Sequence, residues 1–179
     1  MKDADRPHPD PKRPPSHQGE AGEAFRLLFV CTGNTCRSPL AEALTQRALV
    51  RLGWRQVEVR SAGVLATVGA PASEGSLRAG ARHGLDLSTH RSVQVTEELV
   101  AWADLILTMS ASHLLAVSAY GGEERASVIT DFVGGDAEGR GIGVVDPHGG
   151  DDALYEATLI EIEGLVDHAL TKLAPLVAP

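Results

Sequence analysis

Residues 26–40, RLLFVCTGNTCRSPL, set a short apolar run directly before a cysteine and place an arginine six positions further on, at the start of a helical pattern. Leu27 to Val30 have the length and continuity of a buried strand. Ser38 and Pro39, followed by Leu40, Ala41, Leu44, Ala48 and Leu49, open an amphipathic helix with proline in its first turn. The loop therefore joins the carboxyl end of a strand to the amino end of a helix. Backbone N–H groups lack intrahelical partners there and the helix dipole favours negative charge, so the loop suits a phosphate, and the same field favours a thiolate at Cys31. Arg37 has the planar fork that holds two phosphate oxygens at once. Gly33 permits close backbone approach or a positive φ, and Ser38 can donate to the Cys31 sulfur.

The rest of the chain alternates strands with helices. Residues 57–61 alternate and run into Ala62-Gly63, residues 104–109 are an apolar third strand, and residues 126–130 a fourth. Helical patterns cover 74–83 with Gly84 beyond, 96–102 behind a capping threonine, 112–119, and 151–173 behind a capping aspartate, Asp151. Residues 131–150 are glycine-rich without periodicity, and Asp131 reads as a strand-end turn. Four strands and about five helices in alternation imply an α/β fold with a doubly wound parallel sheet, whose ligands collect at the strands' carboxyl ends.

Composition narrows the function. Five of the ten prolines lie between Pro7 and Pro15, within 24 residues that carry mixed charge and almost no large apolar side chain, so residues 1–24 read as a disordered tail and 25–179 as one domain. A net charge of −8 argues against general binding to nucleic acid or an anionic membrane. No apolar stretch is long enough for a signal peptide or membrane helix, which implies a cytoplasmic protein. Two cysteines make neither a disulfide framework nor a zinc site, so catalytic use suits Cys31, and because arginine and backbone dipoles would activate a phosphate in place of a metal, no cofactor is expected. Cys36 stands across the same loop, where it can serve as a redox partner of Cys31 or simply pack.

The string from Cys31 to Pro39 resembles the signature loop of the low-molecular-weight protein-tyrosine phosphatases. That resemblance covers residues 26 to about 173 and implies a flavodoxin-like strand order, a phosphocysteine intermediate on Cys31, and a phosphorylated protein as substrate. Thr32, Gly33, Asn34, Thr35, Cys36 and Ser38 then form the phosphate-binding loop with Arg37. The family's general acid sits in an Asp-Pro pair ahead of the last helix, which points to Asp146 in the VVDPHGG segment of residues 144–150. Asp131, Asp136, Asp151 and Asp152 are the competing carboxylates. Ser61 and His90 occupy places where the family hydrogen-bonds the loop asparagine, here Asn34.

Two positions bear on the substrate. Tyrosine phosphatases of the family usually carry a bulky aliphatic residue before the second loop cysteine and an aromatic after Asp-Pro, whereas this chain has Thr35 and His148. With threonine there, the loop is similar to that of the bacterial protein-arginine phosphatase branch, as are Arg60 to Val64 and Thr96 to Leu99. The branch usually has phenylalanine where His148 stands. His148 can touch substrate or remain a solvated loop side chain. Phosphoarginine is thus the favoured substrate, with phosphotyrosine as the alternative. An arsenate reductase of this fold would need further cysteines, and none follows Cys36. A non-catalytic phosphoprotein-binding module would lack the nucleophile or the acid, and Cys31 and Asp146 are both present. What the tail binds, if anything, is not specified by its composition.

Overall fold

The computed structural model describes residues 24–134 and 142–177; the expected tail, apart from residue 24, lies outside them, as does Asp136. Four strands, β1 (Phe25–Cys31), β2 (Val57–Gly63), β3 (Leu105–Thr108) and β4 (Ala126–Val128), form one parallel sheet in the order β2-β1-β3-β4. The chain leaves β1 for β2 on one side and returns to β3 on the other. A crevice therefore opens between the loops that follow β1 and β3, the topological switch point of such sheets.

Strand β1 is the centre because both its faces are apolar. Leu27, Phe29 and Cys31 enter one core with α1 (Arg37–Leu52) and α6 (Asp152–Val177), while Leu28 and Val30 enter the other with Ala62, Val100, Ile106 and Val117. Period-two alternation with both sides buried gives the continuous hydrophobic run read in the sequence. Helices α2 (Glu74–Arg82), α3 (Glu97–Trp102) and α4 (Ala111–Ser118) begin at Ser73, Thr96 and Ser110, whose hydroxyls accept from Ser76, Leu99 and His113 N–H. Asp151 caps α6 as the sequence reading expects, its Oδ1 accepting from Leu154 N–H at 2.9 Å.

One stretch differs from expectation. The fourth strand stops at Val128, and Ile129–Gly134 is a further helix, α5, with Asp131 in its first turn rather than in a strand-end turn. Ile129 is buried in the core beside α6, and that tertiary contact holds a turn and a half of helix too short to show periodicity. With it, the described residues carry six α-helices and one short 3₁₀ turn, Glu123–Arg125, against the five expected. No helix among the described residues is long and apolar enough to cross a membrane.

Two contacts lock the end of β2, one against the loop after β1 and one against α1. Gly63 pairs with Cys31, and a Cβ at Gly63 would lie 2.5 Å from Thr32 O and 2.8 Å from Asn34 N, both backbone atoms that cannot swing aside. Ser61 of β2 donates to Glu42 of α1 at 2.5 Å; burial raises the Glu42 carboxyl above its ordinary range, with the Ser61 hydrogen bond and the charges of His90 and Arg60 opposing.

Gly63→Ala should therefore cost about 1–3 kcal/mol of stability, measured as a fall in Tm of several degrees, and lower the affinity for inorganic phosphate with it. A raised carboxyl binds its proton more tightly folded than unfolded, so its contribution is complete below the unfolded value and is lost as pH rises through the folded one. Glu42→Gln keeps an acceptor for Ser61 and should gain in Tm relative to wild type as pH is raised from 4 to 7, about in the range where carboxylates ionise; an unchanged difference across that interval would refute this.

Candidate active site

The loop after β1 turns at Asn34, whose φ of 54° is the one left-handed value among the described non-glycine residues. The sequence allows this conformation to Gly33, but the structure places it one residue later. Asparagine tolerates it better than most side chains. Every polar group of Asn34 beyond its own N–H is occupied. Nδ2 donates to Ser38 Oγ and Ser61 Oγ, both at 2.8 Å, Oδ1 accepts from Val93 N–H at 2.8 Å, and the backbone carbonyl accepts from His90 Nε2 at 2.7 Å. Since a carbonyl can only accept, His90 carries its proton on Nε2. Ser61 and His90 thus both meet Asn34, one at the side chain and the other at the main chain.

A row of hydrogen bonds leads from here to the sulfur. Ser61 spends its single hydroxyl proton on Glu42, so its oxygen is free to accept from Asn34. Ser38 Oγ accepts from the same amide, lies 3.0 Å from Cys31 Sγ and 3.3 Å from the Ala62 carbonyl. A Cys31 thiol can donate to Ser38 while Ser38 donates to Ala62 O; once the thiol ionises, the hydroxyl proton has a stronger acceptor in the thiolate. Asn34 and Ser38 are fully buried behind the loop rather than lining its cleft.

The cleft itself has a volume of about 160 Å³ and is lined by Cys31, Thr32, Gly33, Thr35, Cys36, Arg37, Asp146 and His148. Helix α1 begins at its rim, with Cys36 as N-cap, no side-chain cap and no acidic residue in the first turn. Its leading N–H groups and dipole are thus available to an anion. Gly33 leaves the same side open, since a Cβ there would come no closer than 3.5 Å to Thr35 Oγ1.

Arg37 is buried and reaches across the cleft. Nη1 donates to Val144 O and Nη2 to Asp146 Oδ2, each at 3.0 Å, while the buried Nε has no partner among the described residues. An unsatisfied guanidinium N–H in such a site is costly, and a phosphate oxygen would satisfy it. Asp146 is about half exposed and faces this guanidinium from the segment ahead of α6, its Oδ1 accepting from His148 N–H at 3.2 Å. Cys31, Arg37 and Asp146 are separated by up to 115 residues yet share one cleft. Asp131, Asp151 and Asp152 lie elsewhere; Asp152 pairs with Arg78 and Arg82.

Cys36 is buried beside the cleft, a free thiol like Cys31; Sγ donates to Ser73 Oγ at 3.3 Å and lies 3.6 Å from Tyr155 Oη. Tyr155 is one residue that sequence reading passes over. His113 is another. It is buried, with Nε2 at 2.8 Å from Thr32 Oγ1 and Nδ1 at 2.9 Å from Ser110 Oγ. Burial, and then the Arg37 charge, lower the imidazole from its usual value to about 4, with Asp146 opposing. A signal was available, since His113 follows the carboxyl end of a strand, where such sheets build their sites. No group of three or more His, Cys, Asp or Glu among the described residues could hold a metal ion.

These features have close counterparts in known proteins. The model of the low molecular weight phosphotyrosine protein phosphatases matches residues 26–176. A protein-arginine-phosphatase of Bacillus subtilis (strain 168) is 40% identical over 142 residues, 78% of this chain and 91% of that one. That of Geobacillus stearothermophilus is 36% identical over 151 residues, 83% and 96% of the two chains. The solved structure of a Cys-to-Ser mutant of YwlE arginine phosphatase, with a phosphorylated active-site serine, superposes with a TM-score of 0.77 at 36% identity over 83% of this chain and 95% of that one. On sequence and on structure alike, the chain belongs to the low molecular weight phosphotyrosine protein phosphatase family and is a phosphatase.

Proposed function

We propose that this protein is a cysteine-dependent protein phosphatase that hydrolyses phosphoarginine. The observation that carries the substrate is Thr35, a small polar side chain on the wall of a cleft of about 160 Å³, where a bulky aliphatic side chain would shape a pocket for an aromatic ring. A guanidino phosphate is slim, planar and rich in N–H donors, so a threonine hydroxyl suits it better than an apolar wall does. The similarity to two bacterial arginine phosphatases supports the same reading. Phosphotyrosine is the second reading, supported by the family to which the chain belongs.

In the proposed reaction the Cys31 thiolate attacks phosphorus and the P–N bond breaks in line. Arg37 releases Asp146 and sets Nε and Nη2 on two equatorial oxygens while Nη1 stays on Val144 O, with the leading N–H groups of α1 on the same charge. Asp146, freed of the guanidinium and set beside a phosphate dianion, holds a proton and gives it to the departing guanidine nitrogen. A water then attacks the phosphocysteine with Asp146 as base, and phosphate leaves as the thiolate re-forms against Ser38. Ser61, His90 and Asn34 act by holding the loop in place beforehand. We infer a protective role for Cys36, which can form a disulfide with an oxidised Cys31 and spare it irreversible damage.

kcat/KM for phosphoarginine and phosphotyrosine peptides, measured with reductant and EDTA and with Cys31→Ser as the inactive control, should favour phosphoarginine. Thr35→Ile should move the ratio toward phosphotyrosine by about 10-fold or more, the scale of adding or removing a methylene-sized contact in a pocket; a preference for phosphotyrosine in the wild type would make the second reading correct. Asp146→Asn should slow substrates with poor leaving groups by about 100-fold or more and p-nitrophenyl phosphate far less, because general acid catalysis matters only where the leaving group needs its proton. Equal losses on both would remove Asp146 from the role.

A further inference from the structure

His113 belongs to neither the nucleophile loop nor the acid segment, yet it bonds to the first and to the turn on which the second is docked. Strand β3 ends at Thr108, and Met109 donates its N–H to Val30 O of β1 at 2.9 Å. The Met109 carbonyl accepts from Val144 N–H at 2.8 Å, and Gly143 fits against the same turn so closely that a Cβ would lie 2.5 Å from Met109 O and 3.0 Å from Ser110 Cα. Gly143 also has a φ of 66°, so the approach demands glycine on both counts. The segment that presents Asp146 is thereby docked on Met109 and Ser110. One turn into α4, His113 bonds back to Ser110 and forward to Thr32 of the phosphate loop.

We propose that His113 is a positioning residue for phosphoryl transfer: by clamping Thr32 Oγ1 to Ser110 Oγ it fixes the phosphate loop relative to the strand end on which the Asp146 segment is docked. The contacts form a closed circuit from Cys31 through Thr32, His113, Ser110, Met109 and Val144 to Arg37, which is bonded to both Val144 O and Asp146. Removing the imidazole opens the circuit at the switch point between β1 and β3. A neutral ring serves this purpose because both its partners are hydroxyls, each able to donate or accept, so either tautomer is satisfied. An imidazolium would set a second buried cation beside Arg37, and the low imidazole value is in accord with a ring that stays neutral. The clamp is independent of which phosphorylated side chain is hydrolysed, although its catalytic consequence rests on the phosphatase reading of the site.

The test uses wild type, His113→Leu, His113→Gln, Thr32→Val and the double variant Thr32→Val/His113→Leu. Readouts are kcat and KM on p-nitrophenyl phosphate, Kd for orthovanadate by calorimetry, and Tm. His113→Leu and Thr32→Val should each lower kcat/KM by about 10- to 100-fold, the scale of displacing a catalytic group by up to 1 Å, and weaken vanadate binding. The double variant should be no worse than the poorer single one, because both open the same contact. In His113→Gln the terminal amide reaches the place of Nε2 and should recover most of the loss, with Tm close to wild type. Losses that multiply in the double variant, a Thr32→Val variant with unchanged kinetics and vanadate affinity, or a glutamine variant no better than leucine would each overturn the proposal. Thr32→Val leaves the core untouched and remains informative should His113→Leu fail to fold. Vanadate binding that shows the coupling in a protein with no turnover would support the clamp while counting against the hydrolytic reading.

Discussion

Asn34 is the constraint on which this site depends. A left-handed residue that is not glycine costs about 1–2 kcal/mol, and the cost is met by a buried amide with its donors and acceptors all engaged. The four partners come from three parts of the chain: Ser38 from α1, Ser61 from β2, and His90 and Val93 from the segment leading to α3. The loop conformation is therefore not a property of the loop. It is imposed by three elements that the sheet topology brings together at the carboxyl end of β1, and it carries the Cys31 sulfur and the start of α1 with it.

The topology explains why the remaining groups arrive where they do. Because β2 and β3 flank β1 on opposite sides, the loop after β1 is braced by β2 and faces the turn after β3. Gly63 closes the first side by offering no side chain, and Gly143 in the same manner lets the Asp146 segment close on the turn after β3. Between these two contacts the cleft opens away from the core, with Arg37 the one strongly charged side chain among the described residues that is buried beside it.

How much of this was legible in the chain depended on distance along it. Cys31, Arg37 and the strand-to-helix setting lie within one local pattern, and the apolar run of β1 and the caps of α3 and α6 announce themselves by residue type. Asp146 could be named only through family resemblance, since an Asp-Pro pair is ordinarily a turn. Helix α5 escaped because six residues ending in glycine have no period to read; burial of Ile129 holds it, and that is a tertiary fact. The choice of Asn34 over Gly33 for the left-handed position reverses the intrinsic preference, because four hydrogen bonds outweigh a backbone bias. His113 reaches Thr32 across 81 residues, and no local spacing encodes such a meeting. Glu42 is by type an ordinary polar helix residue, and only its partner on β2 sets it apart.

Helix α1 starts without a side-chain cap, unlike α2, α3 and α4. An anion bound at that end would act as the missing cap, and phosphate held there would add to the free energy that keeps the chain folded. By mass action, free phosphate at 100 times its dissociation constant adds about 2.7 kcal/mol. On the proposed reading, the helix terminus that receives the substrate phosphate is thus also one on which folding draws.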